Sequence, residues 1–350
     1  MSDYIIIGAG LAGTMLAMEL MGRGRRVTVI DNGARSSSMV AGGLMNPLTG
    51  KRLVHDESFP EKYARAIGAY ADVPRALRTL PIVRVLTDDM EKNAWHRKEA
   101  GLRTSAGITT SSFTEAVGAI PMLNPDLEGA EVIVIPEAGH LDTAAVVAAR
   151  KDRLREGDVL VTAQVDLRAW DPSSTSITGI EAGRIVLCDG WHLSSHDVFG
   201  CIPMMCAKGQ LLTVLLPTHE EMAAMCIHHG RFLVPLGGHR YRYGATYEWN
   251  DVNDAVLDST TDFLSAGLRT MISGAFSVVD AHAGVRPIVR DLTPVLGIHP
   301  EHQHLAVFNG MGSKGALLAP TLAPMLADHL EHGSPLPAAY SIDRFRRLHA

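Results

Sequence analysis

The sequence predicts an α/β fold: a mostly parallel sheet with flanking helices, interrupted by an α+β domain built on an antiparallel sheet. Three observations carry this. A β-branched run, Asp3–Ile7, leads through GAGLAG into a helix-forming stretch and a second apolar strand. A similar strand, glycine turn and helix, LAVFNGMGSKGALLAP, comes near the end. Between them, stretches such as GRFLVPLGGHRYRYGATYEW read as two strands joined by a Gly-Gly turn.

The first unit reads in order. Asp3–Ile7 is a buried strand, and Gly8, Gly10 and Gly13 form the turn. Leu11 and Ala12 open a helix that ends at Gly24, and RRVTVID is a strand ending at Asp31. This is the order of a Rossmann half that binds a dinucleotide. Gly8 makes the tight turn, Gly10 admits a pyrophosphate, and Gly13 lets helix and strand pack closely. Free N–H groups and the dipole at the helix start favour the anion. Asp31, 18 residues beyond Gly13, is placed to accept from ribose hydroxyls, with Asn32 beside it. An acid there argues against a 2′-phosphate. This unit alone does not separate NAD from FAD, and a structural glycine turn is its plainer alternative.

The next segment, AGGLMNPLTGKR (41–52), has neither helical nor strand periodicity, so it is backbone laid against something. Composition narrows the options. The 350 residues suit one large domain or two intimately built ones, and 46% hydrophobic content excludes disorder. A net charge of −6 supplies no basic surface for nucleic acid. Lys51–Arg52 and Arg344–Arg347 are local basic spots of the kind that usually face solvent. Cys188, Cys201, Cys206 and Cys226 lack C-x-x-C spacing, which points to thiols in a reducing compartment. MSDYIIIGAG opens with a strand rather than a signal peptide, and no apolar run reaches the roughly 18–20 residues of a membrane span. The expected location is cytoplasmic.

The late unit selects the cofactor. A strand, Leu305–Phe308, runs into Gly310, Gly312, Ser313, Lys314 and Gly315, and a helix follows to about His332. Its position is too late to begin another Rossmann unit. Its positive end can face the pyrimidine edge of a flavin and stabilise negative charge on the reduced ring. The alternative is a docked helix with no ligand.

These pieces, taken together, resemble the FAD-dependent oxidoreductases of the D-amino-acid oxidase type, which include glycine oxidase, sarcosine oxidase and the oxidoreductase half of a bifunctional tRNA-modifying enzyme. The likeness runs in order through IIIGAGLAG…VTVID, AGHLDTAAVVAA (138–149), IVLCDGWHLS (185–194), AKGQLLTV (207–214), YRYGATYEW (241–249), AGVRPIVRDLTPVLG (283–297) and GMGSKGALLAP (310–320). It implies non-covalent FAD, since the terminal turn lacks the cysteine that holds flavin in sarcosine oxidases. It also implies an FAD-binding domain assembled from 1–80, 138–200 and 275–350, with a substrate domain from 81–137 and 201–274. The AGGLMNP run then passes under the flavin ring, so Gly42, Gly43, Leu44, Met45 and Asn46 are expected flavin contacts. Val165, Asp189 and Gly190 join them, with Ser313 and Lys314 from the terminal turn.

The resemblance implies oxidation of an amine, amino acid or N-substituted glycine by hydride transfer to flavin N5. The imine is then hydrolysed, and oxygen or another acceptor reoxidises the flavin. Arg286, before Pro287, matches the arginine that pairs with a substrate carboxylate, and bidentate geometry would fix its orientation. Lys314 is the second catalytic candidate. Phe232 stands where glycine oxidase has a tyrosine, so the pocket roof is expected to be apolar, from Phe232, Met45 and Tyr247. Lys51 and Arg52 face either the substrate mouth or solvent. Arg290 and Asp291 are expected in structural pairs. His299, His302 and His304 fall in a hairpin turn, His228–His229 at a strand end, and no metal is expected. Two other readings stay open: oxidation of a carboxymethylaminomethyl-uridine on tRNA, and a flavoprotein that binds FAD without turnover.

Overall fold

A computed structural model describes residues 2–217 and 225–348, with side chains through residue 345. Its first sheet has the strand order Leu160–Thr162, Val27–Asp31, Ser2–Ile7, Ile180–Leu187, Leu305–Asn309, Val295–Ile298. Neighbours run parallel except the last pair, which is an antiparallel hairpin. A parallel sheet is covered on both faces, so its strands are apolar throughout. In Ser2–Ile7 the alternation is visible in the packing: Tyr4 and Ile6 join one core cluster, Ile5 and Ile7 the other.

The helices Leu11–Gly22, Thr143–Glu156 and Gly315–His332 cover the first of these faces. The last helix keeps two prolines inside it, Pro320 and Pro324. Pro320 has no N–H for the Ala316 carbonyl, and the buried Tyr70 hydroxyl donates to that oxygen at 2.9 Å instead. The helix stops where Gly333 takes a left-handed conformation (φ 67°).

The second sheet has eight strands: Ser277–Arg286, Ala207–Leu215, Arg240–Gly244, Arg231–Gly237, Cys226–His229, Ile82–Leu86, Glu131–Ile135, Thr109–Ser111. Only the pair Cys226–His229 and Ile82–Leu86 runs parallel. The Gly-Gly turn at 237–238 joins its two strands with positive φ at both glycines. Asp258–Met271 is the helix that covers one face, through Leu264, Leu268 and Met271. Ser277–Arg286 pairs along Ala207–Leu215 in this sheet, and the AKGQLLTV segment lies in that buried strand.

Among the described residues no helix is long and apolar enough to cross a membrane, and no disulfide forms. Asp291 pairs with Arg344 at 2.8 Å, as expected of a structural partner; the side chains of Arg346 and Arg347 lie outside the described residues. Lys51 is exposed and pairs with Asp88 at 2.7 Å. Lys51 and Arg52 are both exposed, and neither lines the cavity described below.

Candidate functional site

One cavity of about 1180 Å³ runs between the two sheets. Both glycine turns open onto it, through Gly8, Gly10, Leu11 and Ala12 on one side and Gly312, Ser313, Lys314 and Gly315 on the other. The 41–52 segment supplies Gly42, Gly43, Leu44, Met45 and Asn46, and Asn32, Val165, Asp189 and Gly190 complete the wall. Two expected contacts are absent from it. Gly13 packs under the Gly8 carbonyl, where a Cβ would overlap that oxygen. Gly310 (φ 76°) turns the chain against Val289, behind the cavity.

The local chemistry suits a dinucleotide. Gly8 (φ 99°) allows the first turn, and a Cβ there would sit 2.6 Å from the Cys188 carbonyl. The helix Leu11–Gly22 starts with no acid in its first turn, and the Ser38 hydroxyl accepts from Leu11 N at 3.0 Å. A Cβ on Gly42 would meet nothing within 4 Å, so this backbone borders open space.

Asp31 ends its strand as expected but is already engaged. Its carboxylate accepts from Ala9 N at 2.8 Å, Gly33 N at 3.0 Å and Lys151 Nζ at 2.8 Å. Burial raises its pKa, but Lys151 and the Ala9 N–H outweigh this and hold it below the usual carboxylate value. Lys151 sits 120 residues away in the helix Thr143–Glu156, so no local pattern announced it. Asp189 is also held, by His196 Nε2 at 2.9 Å and Asn309 Nδ2 at 3.0 Å.

The antiparallel sheet forms the other wall. Its in-register partners Leu211, Gly244, Phe232, His228 and Arg84 share one face and line the cavity. Gly209, Gly284 and Arg286 lie on the same face. Arg286 Nη1 donates to the Thr246 carbonyl at 3.1 Å, and its guanidinium lies 3.9 Å over the Tyr247 ring. On its other side it rests on Gly209, where any Cβ would overlap Nη1 and Nη2. No carboxylate lies within ion-pair distance of Arg286 among the described residues, and burial pushes its pKa below the usual value. Hydrogen-bonding capacity therefore remains for an incoming anion.

The expected apolar roof is only partly so. Met45 is buried in the core beside the Gly315–His332 helix, and Phe232 is half-buried. Tyr247 is 52% exposed, a rim over Arg286 rather than a roof. Beyond Phe232 the wall turns polar. His228 packs its ring 4.2 Å from Phe232, and burial holds its imidazole well below the ordinary value. Arg84, 2% exposed, pairs with Glu91 at 2.8 Å. A cation in the middle of the apolar strand IVRVL was the available signal for Arg84. His299, His302 and His304 occupy the hairpin between the last two strands of the first sheet, with rings 4.8 and 6.0 Å apart in sequence order. The described residues hold no cluster arranged for a metal ion.

Comparison with known proteins agrees with this geometry. Residues 3–329 match the model of the family described as FAD dependent oxidoreductase. A glycine oxidase of Pseudomonas aeruginosa is 24% identical over 372 aligned residues, covering 96% of this chain and 97% of that protein. The tRNA 5-methylaminomethyl-2-thiouridine biosynthesis bifunctional protein MnmC of Polaromonas naphthalenivorans is 26% identical, over 95% of this chain but 57% of its own length. The crystal structure of glycine oxidase from Geobacillus kaustophilus superposes with a TM-score of 0.83 at 20% identity, over 98% of this chain and 97% of that one. With two glycine turns, a connecting cavity and a match across nearly the whole chain, this protein belongs to the DAO family of FAD-dependent oxidoreductases.

Proposed function

We propose that this enzyme oxidises the C–N bond of a small amine that carries a carboxylate, an amino acid or N-substituted glycine. The observation that carries the reading is Arg286: a half-buried guanidinium with no carboxylate partner among the described residues, facing the cavity onto which both glycine turns open. Its unspent donors suit a carboxylate, and the fork fixes orientation as well as charge. Tyr247 on one side and Gly209 on the other keep the fork in one plane.

In this reading Gly8, Gly10, Leu11, Ala12, Asp31 and Asn32 hold the adenosine and pyrophosphate end of FAD. Gly42–Asn46 and Gly312–Gly315 border its ring. Bound FAD supplies a two-electron acceptor for the hydride that leaves the substrate α-carbon. Arg286 would hold the carboxylate and so fix the position of this carbon, and Phe232 would keep water from one side of it. The amine nitrogen gives up its proton as the C=N bond forms. The released imine adds water and divides into an amine and a carbonyl product. We assign the antiparallel layer, with residues 277–286 included, to the substrate side. The test is anaerobic mixing of the yellow protein with a panel of amino acids and N-substituted glycines. Loss of the visible flavin absorbance with carboxylate-bearing amines is the expected result, and equal loss with their decarboxylated analogues would overturn the role of Arg286.

A further inference from the structure

Tyr247, at the cavity beside Arg286, has a second exposed aromatic ring, Trp249, as its neighbour outside the cavity lining. Tyr247 is 52% exposed and Trp249 45%, with ring centroids 6.0 Å apart at 35°. Exposed rings on a surface loop are ordinary when the loop is loose. This loop is held from beneath by two fully buried polar side chains of Ala207–Leu215. Lys208 Nζ donates to Asn253 Oδ1 at 2.8 Å and to Asp251 Oδ2 at 3.2 Å. Gln210 accepts from Leu257 N at 2.9 Å and donates to Thr261 Oγ1 at 2.8 Å. The backbones of Lys208 and Glu248 bond each other twice, so the ladder grips the loop between the two rings. Buried lysine and glutamine are costly to desolvate, and here both are spent on fixing this loop.

We propose that Tyr247 and Trp249 form a stacking subsite for a flat aromatic ring on the substrate's amine substituent. This rests on the proposed carboxylate-amine oxidation and names its substrate class: an N-substituted glycine whose nitrogen carries an arylmethyl group. The spacing agrees. Arg286 Cζ stands 3.9 Å from the Tyr247 ring, which places the Trp249 ring within about 10 Å of the guanidinium. A carboxylate paired with Arg286 puts its carbon roughly 4 Å from Cζ, and two single bonds to nitrogen and one more to a CH₂ carry a ring centre about 6 Å farther. Arg286 already lies over one aromatic face, so the rim has positive charge and π-surface together, as aromatic recognition beside an anion requires.

The test compares planar and saturated rings of equal size. (Benzylthio)acetate and (cyclohexylmethylthio)acetate carry sulfur in place of the oxidisable NH. Their binding to the FAD-loaded protein is read from the shift in flavin absorbance and the quenching of tryptophan fluorescence. The cyclohexyl ring is the more apolar, so burial alone favours it or makes the two equal. Stacking predicts that the benzyl compound binds about 5- to 50-fold more tightly. Trp249→Leu should bring that ratio near one, and Trp249→Phe should restore part of it. Equal affinities in the unaltered protein, a benzyl preference that survives Trp249→Leu, or no binding of either compound would overturn the subsite. The matching amines, N-benzylglycine and N-(cyclohexylmethyl)glycine, separate the two readings. Benzyl-selective thioether binding with no flavin reduction by either amine rejects the oxidation and keeps the platform. Reduction by both amines at equal efficiency rejects the platform and keeps the oxidation.

Discussion

Gly209→Ala tests the placement of Arg286 without removing its charge. Gly209 lies in the strand Ala207–Leu215 and has ordinary extended backbone, so alanine imposes no conformational strain there. The new Cβ would overlap both terminal nitrogens of Arg286 and stand 2.5 Å from Cζ. Ordinary carbon contacts begin near 3.5 Å, so the guanidinium must retreat by about 1 Å. Its Thr246 bond at 3.1 Å and its stacking over Tyr247 leave it one plane, and the retreat forces it out of that plane. A misplacement of about 1 Å in a substrate-positioning group costs on the order of 10² in rate. The expected outcome is a fall of about 10² in kcat/KM with any carboxylate-bearing amine that reduces the unaltered enzyme. FAD content should stay near full and Tm should move little, because the displaced atoms end a flexible side chain. The assay is rapid anaerobic mixing with substrate, followed in the flavin band, beside a thermal melt. Unchanged reduction kinetics with normal FAD content would refute the reasoning, since Arg286 would then have moved without consequence.

Three further outcomes are expected. Arg286→Lys keeps one charge but loses the fork; the loss of one charge-assisted hydrogen bond, about 1.5–3 kcal/mol, lowers kcat/KM by roughly 10- to 150-fold, read by the same mixing experiment. Asp31→Asn removes the counter-charge of the buried Lys151, so it should lower Tm by several degrees as well as weaken FAD; apoprotein titration and a melt check both, and a weaker FAD alone would mean that Lys151 finds another partner. His140 is 4% exposed, and burial with nearby Arg78 and Arg242 brings its pKa from 6.5 down to about 4. Its folded pKa lies below its unfolded one, so its contribution to stability is present above pH 6.5 and is lost as pH falls toward about 4. The stability lost over that interval amounts to about 3 kcal/mol, and His140→Phe should flatten the acid limb of a urea-unfolding series there.

The sequence was most legible where function constrains the backbone over a few consecutive residues. Gly8, Gly10 and Gly13 stand in the positions that a tight turn, an open helix start and a close helix contact require, and the second glycine turn begins its helix at Gly315 and ends it at His332 as read. A strand of one periodicity followed by glycine and a helix of another is a local pattern, so no tertiary information is needed to see it. Arg286 ends the strand Ser277–Arg286 before Pro287, and its proposed carboxylate-binding role came from the family resemblance rather than from a local pattern.

What the sequence determined by itself is therefore the α/β class, the two glycine turns and the family they mark. Tertiary structure decided which side chains meet across long separations. Asp31 meets Lys151, Arg84 holds Glu91 beneath the sheet, and Lys208 and Gln210 reach under the loop that carries Tyr247 and Trp249. These contacts depend on register. A one-residue slip in a strand turns every side chain to the opposite face, and sequence separation carries no record of which strands become neighbours. Gly209 shows the limit most sharply. Along the chain it is one glycine between two polar residues, and only the pairing of Ala207–Leu215 with Ser277–Arg286 makes its missing Cβ the space that Arg286 fills.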